Sequence, residues 1–197
     1  MKIVVNNQVV LIPPGDVHGL YQSPIWEVEI QSDVLDSPEF EAELRNDSNF
    51  IVSNWHHNNL RSMYNSTGIV SSWLAQIQPN LLLDIVSSSV CFAPLYYKSL
   101  DDYGNNGVCT SSVLRDQPGF EMIPHLDNRH VMAQLVVNLL QDYETATEFY
   151  YFNSNTPCYR APLKKNHGVV FLNTPGSVHG IANVTTPRWT WAAGLLI

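Results

Sequence analysis

From about Val108 onward the chain consists of short β-rich runs separated by turn signals, and this pattern constrains its fold more than any other feature. The runs are Met122–Ile123, Val131–Leu140, Glu148–Phe152, Val169–Leu172 and Arg188–Leu196. Between them lie Asp127-Asn128, Asn153–Pro157, Lys164–Gly168 and Asn173–Ser177. Many short strands at even spacing bury their apolar faces by closing into a sandwich or a jelly-roll barrel. The expected class is mainly β with flanking helices around a jelly-roll core.

The first half has a different texture. Lys2–Val5 and Gln8–Ile12 are β-branched runs joined by Asn6-Asn7, which reads as a hairpin ended by Pro13-Pro14-Gly15. Ser37-Pro38-Glu39 has the order of an N-cap, a first-turn proline and an early acid, and opens a helix to about Arg45. Apolar residues at 69, 70, 73, 74 and 77 predict a helix over Gly68–Gln78, stopped by Pro79. A further helix is expected over Leu81–Val90. There is no sharp linker and no internal repeat. The 197 residues therefore read as one domain, with a hairpin and support helices over 1–107 and the β core over 108–197.

Charge excludes several classes. The net charge is -8, and no run of 18 apolar residues occurs. An acidic chain lacks the basic footprint of a nucleic-acid binder, and nothing in it spans a membrane as a helix. The stretch after Met1-Lys2 is too short for a secretory signal, so an intracellular location is expected; viral origin or particle association would leave no mark in the sequence. Cys91, Cys109 and Cys158 are odd in number and far apart, which argues against a disulfide framework or a zinc ribbon. The imbalance sits in 1–107, where four bases (Lys2, Arg45, Arg61, Lys98) face twelve acids; 108–197 is neutral. Acids confined to the support and the rim would favour a neutral or basic substrate.

His125-Leu126-Asp127 is the only His-x-Asp/Glu in the chain. On extended backbone, positions i and i+2 share a face, so an imidazole and a carboxylate can converge on one metal. His179 follows the strand Val169–Leu172 after a turn and offers a third ligand. Two His and one carboxylate leave three coordination positions open on non-haem iron(II), although zinc accepts the same set. Nine residues beyond His179 stands Arg188. On a strand 188–196, Arg188, Thr190, Ala192 and Gly194 share one face, and Trp189, Trp191, Ala193 and Leu195 the other. The first face is small apart from a guanidinium and a hydroxyl, which suits a carboxylate.

The pattern His125-x-Asp127, His179 and Arg188, in that order on predicted strands, resembles the double-stranded β-helix family of iron(II)- and 2-oxoglutarate-dependent oxygenases. Met122–Asn128 followed by Arg129–Asn138 is similar to the metal-binding region of its prolyl hydroxylase branch. The resemblance spans roughly 108–197. It implies Fe(II) held by His125, Asp127 and His179, and 2-oxoglutarate held at its distal carboxylate by Arg188 with Thr190. It further implies O2 as oxidant, ascorbate as an optional accessory, and succinate and CO2 as co-products of hydroxylating a peptide side chain or a small molecule. One departure stands out. Where the oxygen-sensing prolyl hydroxylases carry a tyrosine that helps hold the cosubstrate, this chain has Val136. Gln134 and Asn138 share the face of Val136 and either line the pocket or are satisfied core amides. A reading from another class is a non-catalytic jelly-roll binding or structural module with a vestigial metal site.

The other histidines have weaker claims. His130 falls off the His125/Asp127 face, His167 lies at the far end of its strand from His179, and His18 has no ligand neighbour in sequence. His56-His57 are adjacent and cannot both face one metal from a regular element. Tyr96-Tyr97 and Tyr150-Tyr151 read as packing pairs or the border of a substrate groove, and Lys164-Lys165 as a solvated turn.

Overall fold

The computed structural model describes residues 1–19, 21–53, 59–77, 79–87 and 108–196. His56, His57, Cys91, Tyr96, Tyr97 and the expected helix end at 88–90 lie outside those residues. The strands are β1 (Lys2–Leu11), β2 (Ser23–Gln31), β3 (Phe50–Val52), β4 (Arg61–Tyr64), β5 (Val108–Asp116), β6 (Met122–His125), β7 (Val131–Asn138), β8 (Thr147–Tyr150), β9 (Pro157–Arg160), β10 (His167–Leu172), β11 (Val178–Ile181) and β12 (Arg188–Leu196). The helices are α1 (Pro38–Arg45), α2 (Ile69–Leu74) and α3 (Pro79–Ser87).

The strands form two sheets. The larger runs β1-β2-β10-β7-β12-β5-β4-β3, the smaller β6-β11-β8-β9, and all pairings are antiparallel. From β5 onward the chain places four strands in each sheet (β10-β7-β12-β5 against β6-β11-β8-β9), which is the double-stranded β-helix expected from the sequence. The N-terminal strands β1 to β4 extend the larger sheet at both edges.

The expected hairpin at the N-terminus does not form. Lys2–Leu11 is one strand, paired along its length with β2 from Lys2↔Gln31 to Leu11↔Ser23. The register shifts between Val5 and Asn7, so Asn6 is the extra residue of a bulge rather than a turn. An isolated two-residue hairpin would be a marginal ribbon, whereas β2 offers a partner already in a large sheet. The alternation Ile25-Trp26-Glu27-Val28-Glu29-Ile30 that marks β2 puts Trp26, Val28 and Ile30 into the core.

The helices follow their sequence signals more closely. Ser37 Oγ accepts the Phe40 N–H and caps α1. α2 is shorter than its apolar stripe, ending at Leu74, and Pro79 opens α3 as well as ending the preceding stretch. The helices cover the outer face of the larger sheet, in one core with Trp26, Val28, Val170, Leu135, Val137, Trp189, Trp191 and Leu195. Trp73 of α2 sits between Phe40 (5.4 Å, edge-on) and Trp191 (4.6 Å), and each such pair adds about 0.5–1.5 kcal/mol beyond its burial. A second cluster, Ile25, Val169 and Phe171 with Phe149, fills the space between the two sheets.

Part of the acidic excess of the first half is used in holding the halves together. Asp36 pairs with Lys165 at 2.6 Å, Asp47 pairs with Arg115, and Glu27 accepts the Tyr159 hydroxyl at 2.7 Å. Lys165 is thus tethered rather than simply solvated. Among the described residues no helix is long and apolar enough to cross a membrane. Cys109 and Cys158 are free thiols.

Candidate active site

His125 ends β6 and His179 lies on β11, the neighbouring strand, and the two are directly opposite in register. Gly180 allows the close approach: a Cβ there would stand 2.6 Å from the Met122 carbonyl oxygen. The imidazole centroids are 4.6 Å apart. Asp127 lies two residues beyond His125, just past the end of β6. Its Oδ1 is 3.9 Å from His125 Nε2 and 3.8 Å from His179 Nε2. One ligand atom from each of the three residues lies within 4.8 Å of the others, close enough together to hold one metal ion.

Both imidazoles are oriented by backbone. His125 Nδ1 donates to the Ile123 carbonyl and His179 Nδ1 to the Ser177 carbonyl, each at 3.0 Å. An Nδ1–H held this way leaves the Nε2 lone pair free to face Asp127 Oδ1. His179 is almost fully buried, its ring against Phe171 (4.8 Å) and Phe149 (5.9 Å). Burial pushes its pKa below the ordinary histidine value, and the nearby Asp127 partly offsets this. A neutral imidazole is the form that binds a metal.

The loop carrying Asp127 is pinned from β10. Asn173 Nδ2 reaches the carbonyls of Asp127 (3.3 Å), Asn128 (3.0 Å) and Val131 (3.0 Å). Asn173 also begins the turn that leads to His179, in which Ser177 Oγ donates to the Thr174 carbonyl at 2.8 Å. One short segment thereby holds two of the three candidate ligands in place.

Arg188 and Thr190 stand on the inner face of β12, both nearly inaccessible to solvent. Arg188 Nε and one terminal nitrogen donate to Asn138 Oδ1 (3.4 and 3.3 Å), and that nitrogen also reaches Thr147 Oγ1 (3.2 Å) on the facing sheet. Asn138 is itself held, donating Nδ2 to the Pro162 carbonyl at 2.8 Å. The other terminal nitrogen of Arg188 and the hydroxyl of Thr190 are buried with no hydrogen-bond partner. Buried polar groups are ordinarily satisfied, and two orphans two residues apart on one strand face mark a place for an acceptor. Burial lowers the pKa of Arg188 while Asp116 opposes the shift. Asp116 is fully buried and chelated by Arg61 (2.6 and 2.8 Å), so its carboxylate has an ion-pair partner other than Arg188. Ala192 and Gly194 complete this face of β12 and lie opposite Val136 and Gln134 of β7. The outer face carries the bulky Trp189, Trp191 and Leu195 in the helix-covered core.

The structure thus brings His125, Asp127 and His179 together at one end of the inter-sheet space, and Arg188, Thr190 and Asn138 at another. Gln134 stands against Asp127 with its amide. His130 and His18 are exposed outside the cluster, and His167 hydrogen-bonds the Lys165 carbonyl at 2.8 Å. Sequence reasoning missed Asn173, Thr147 and the Arg61–Asp116 pair; of these only Asn173 gave a signal, as the first residue of a turn next to a candidate ligand.

Neither a protein-family model nor a curated protein matches this sequence. Solved structures do. A prolyl-4-hydroxylase of Pseudomonas putida superposes with a TM-score of 0.54 at 14% identity, covering 87% of this chain and 91% of that one. An oxidoreductase of the 2OG-Fe(II) oxygenase family from Burkholderia pseudomallei superposes with a TM-score of 0.42 at 13% identity, covering 86% and 84%. The double-stranded β-helix of this chain is therefore the fold it shares with the Pseudomonas putida prolyl-4-hydroxylase.

Proposed function

We propose that this chain is an Fe(II)- and 2-oxoglutarate-dependent oxygenase that hydroxylates an unactivated C–H bond of a peptide side chain or a small molecule, with succinate and CO2 as co-products. The observation that carries the reading is the pairing of two features in one inter-sheet space. Three ligand atoms lie within 4.8 Å at one end, and a buried guanidinium nitrogen and a hydroxyl without partners lie at the other. A jelly-roll module that only binds a metal has no use for the second feature. The resemblance in sequence and the shared fold point the same way.

His125, Asp127 and His179 would hold the iron from one side, with both imidazoles neutral and their Nε2 atoms presented. When bound, the iron supplies the oxygen chemistry that decarboxylates the cosubstrate and oxidises the C–H bond. The remaining work belongs to the chain. Arg188 and Thr190 would take the distal carboxylate of 2-oxoglutarate through their unpartnered atoms, with Asn138 and Thr147 fixing the guanidinium plane. Phe149 and Phe171 keep water from the ring of His179, which strengthens its polar contacts. Val136 in place of a tyrosine leaves Arg188 and Thr190 as the distal anchors. Residues 1–197 act as one domain in this reading, because β1 to β4 are hydrogen-bonded into the sheet that carries Arg188.

Turnover without the prime substrate tests the proposal before that substrate is identified. Purified protein supplied with Fe(II), 2-oxoglutarate and air is expected to form succinate slowly, and His179→Ala and Arg188→Met to form none. Succinate at the buffer-blank rate from iron-loaded wild type would argue for the non-catalytic alternative.

A further inference from the structure

Oδ1 of Asp127 faces both histidine Nε2 atoms. The side-chain amide of Gln134 reaches the same carboxylate from the inner face of β7. With its nitrogen toward Asp127, the amide lies 3.2 Å from Oδ1 and in hydrogen-bond contact with Oδ2. The opposite orientation would set a carbonyl oxygen against an anionic one. Gln134 sits within the run Val131-Met132-Ala133-Gln134-Leu135-Val136-Val137 of β7, apolar on either side of it, where an aliphatic side chain would serve packing equally well.

We infer that Gln134 is a positioning residue for the metal: its amide engages Oδ2 of Asp127, so that the carboxylate offers Oδ1 alone as a ligand. The inference rests on the oxygenase reading above. A free carboxylate can bind a metal through one oxygen or both. Binding through both would occupy a fourth of six positions and leave two open, whereas a two-point cosubstrate together with O2 needs three. A hydrogen bond to a charged acceptor is stronger than one between neutral groups and so favours the one-oxygen arrangement. The same contact fixes the Asp127 side chain before metal arrives, in the manner of partners that orient ligands elsewhere. Asn173 fixes its backbone, so backbone and carboxylate are set by different elements.

The test uses metal-free protein and Co(II) alone as the probe, with affinity measured by calorimetry and coordination by visible absorption. Gln134→Met keeps the length and removes the donor. Gln134→Asn keeps the amide but is one methylene too short to reach. Both variants are expected to bind Co(II) about 10–100-fold more weakly than wild type. Both are also expected to change the intensity of the cobalt bands, with thermal midpoints near that of wild type. If Gln134→Met fails to fold, Gln134→Asn carries the comparison. Affinity and spectrum equal to wild type would overturn the role of Gln134 and leave the oxygenase reading in place. Wild type that binds no Co(II) would overturn both.

Discussion

Replacing His179 with alanine is expected to abolish divalent-metal binding while leaving the β-helix folded. His179 is the most buried of the three candidate ligands, with its side chain 4% exposed against 14% for Asp127 and 33% for His125. Its ring is fixed by the Ser177 carbonyl and by Phe149 and Phe171. Among the described residues no further histidine stands at the cluster: His18 and His130 are exposed outside it and His167 hydrogen-bonds the Lys165 carbonyl. Loss of a hydrogen bond that merely orients a ligand costs about 10–100-fold in affinity, and loss of the ligand itself should exceed that range. The ring leaves a cavity costing on the order of 2 kcal/mol, which lowers the melting point without unfolding the protein at 25 °C. Metal titration and thermal melting separate the two effects. An unchanged metal affinity would remove His179 from the site.

Arg188→Met should separate the cosubstrate from the metal. The guanidinium is buried with one nitrogen unpartnered, and Asp116 is already neutralised by Arg61. In the ligand-free protein Arg188 is a buried charge without an ion-pair partner of its own among the described residues, and methionine removes that desolvation cost while keeping most of the volume. In the complex it is the charge that meets a carboxylate, and removing one partner of a buried, hydrogen-bonded charge pair costs about 2–5 kcal/mol. The expected variant binds 2-oxoglutarate about 30-fold or more weakly, binds metal as wild type does, and melts no lower. Stability given up for a charged pocket is a signature of a binding site. Equal 2-oxoglutarate affinity in variant and wild type would refute this role.

The parts of the molecule that the sequence made legible are those whose signal is local. β12 shows its two faces in the alternation of Arg188, Thr190, Ala192 and Gly194 with Trp189, Trp191, Ala193 and Leu195. The α1 cap is visible in Ser37-Pro38-Glu39. His125 and Asp127 share a face because they are two residues apart. Legibility fails where structure depends on distant partners. Asn6-Asn7 has the composition of a turn and becomes a bulge because β2, some 20 residues on, supplies a partner strand. β11 is four residues with a glycine at its centre, too brief for periodicity to register. Thr147 meets Arg188 across 41 residues and Arg61 meets Asp116 across 55, contacts that no spacing rule announces. Gln134 and Asn138 show the boundary clearly. Their shared face is local and readable, but which end of the pocket each one serves emerges only when β6, β7 and β12 are assembled.

The charge asymmetry gains a structural meaning from the same assembly. Asp36, Asp47 and Glu27 are spent on Lys165, Arg115 and Tyr159, so they fasten the first half to the core. At the Asn138 end of the inter-sheet space Arg188 is a buried positive charge, which would suit the carboxylate of the proposed cosubstrate.

The central claim is that one inter-sheet space holds a metal and a 2-oxo acid together. Anaerobic titration of the wild-type protein with Fe(II) and 2-oxoglutarate, followed by visible absorption, tests it directly. A charge-transfer band is predicted only when both are present, saturating at one equivalent of each per chain, absent with either alone and absent in His179→Ala. Protein shown to hold both molecules yet giving no band would contradict the account.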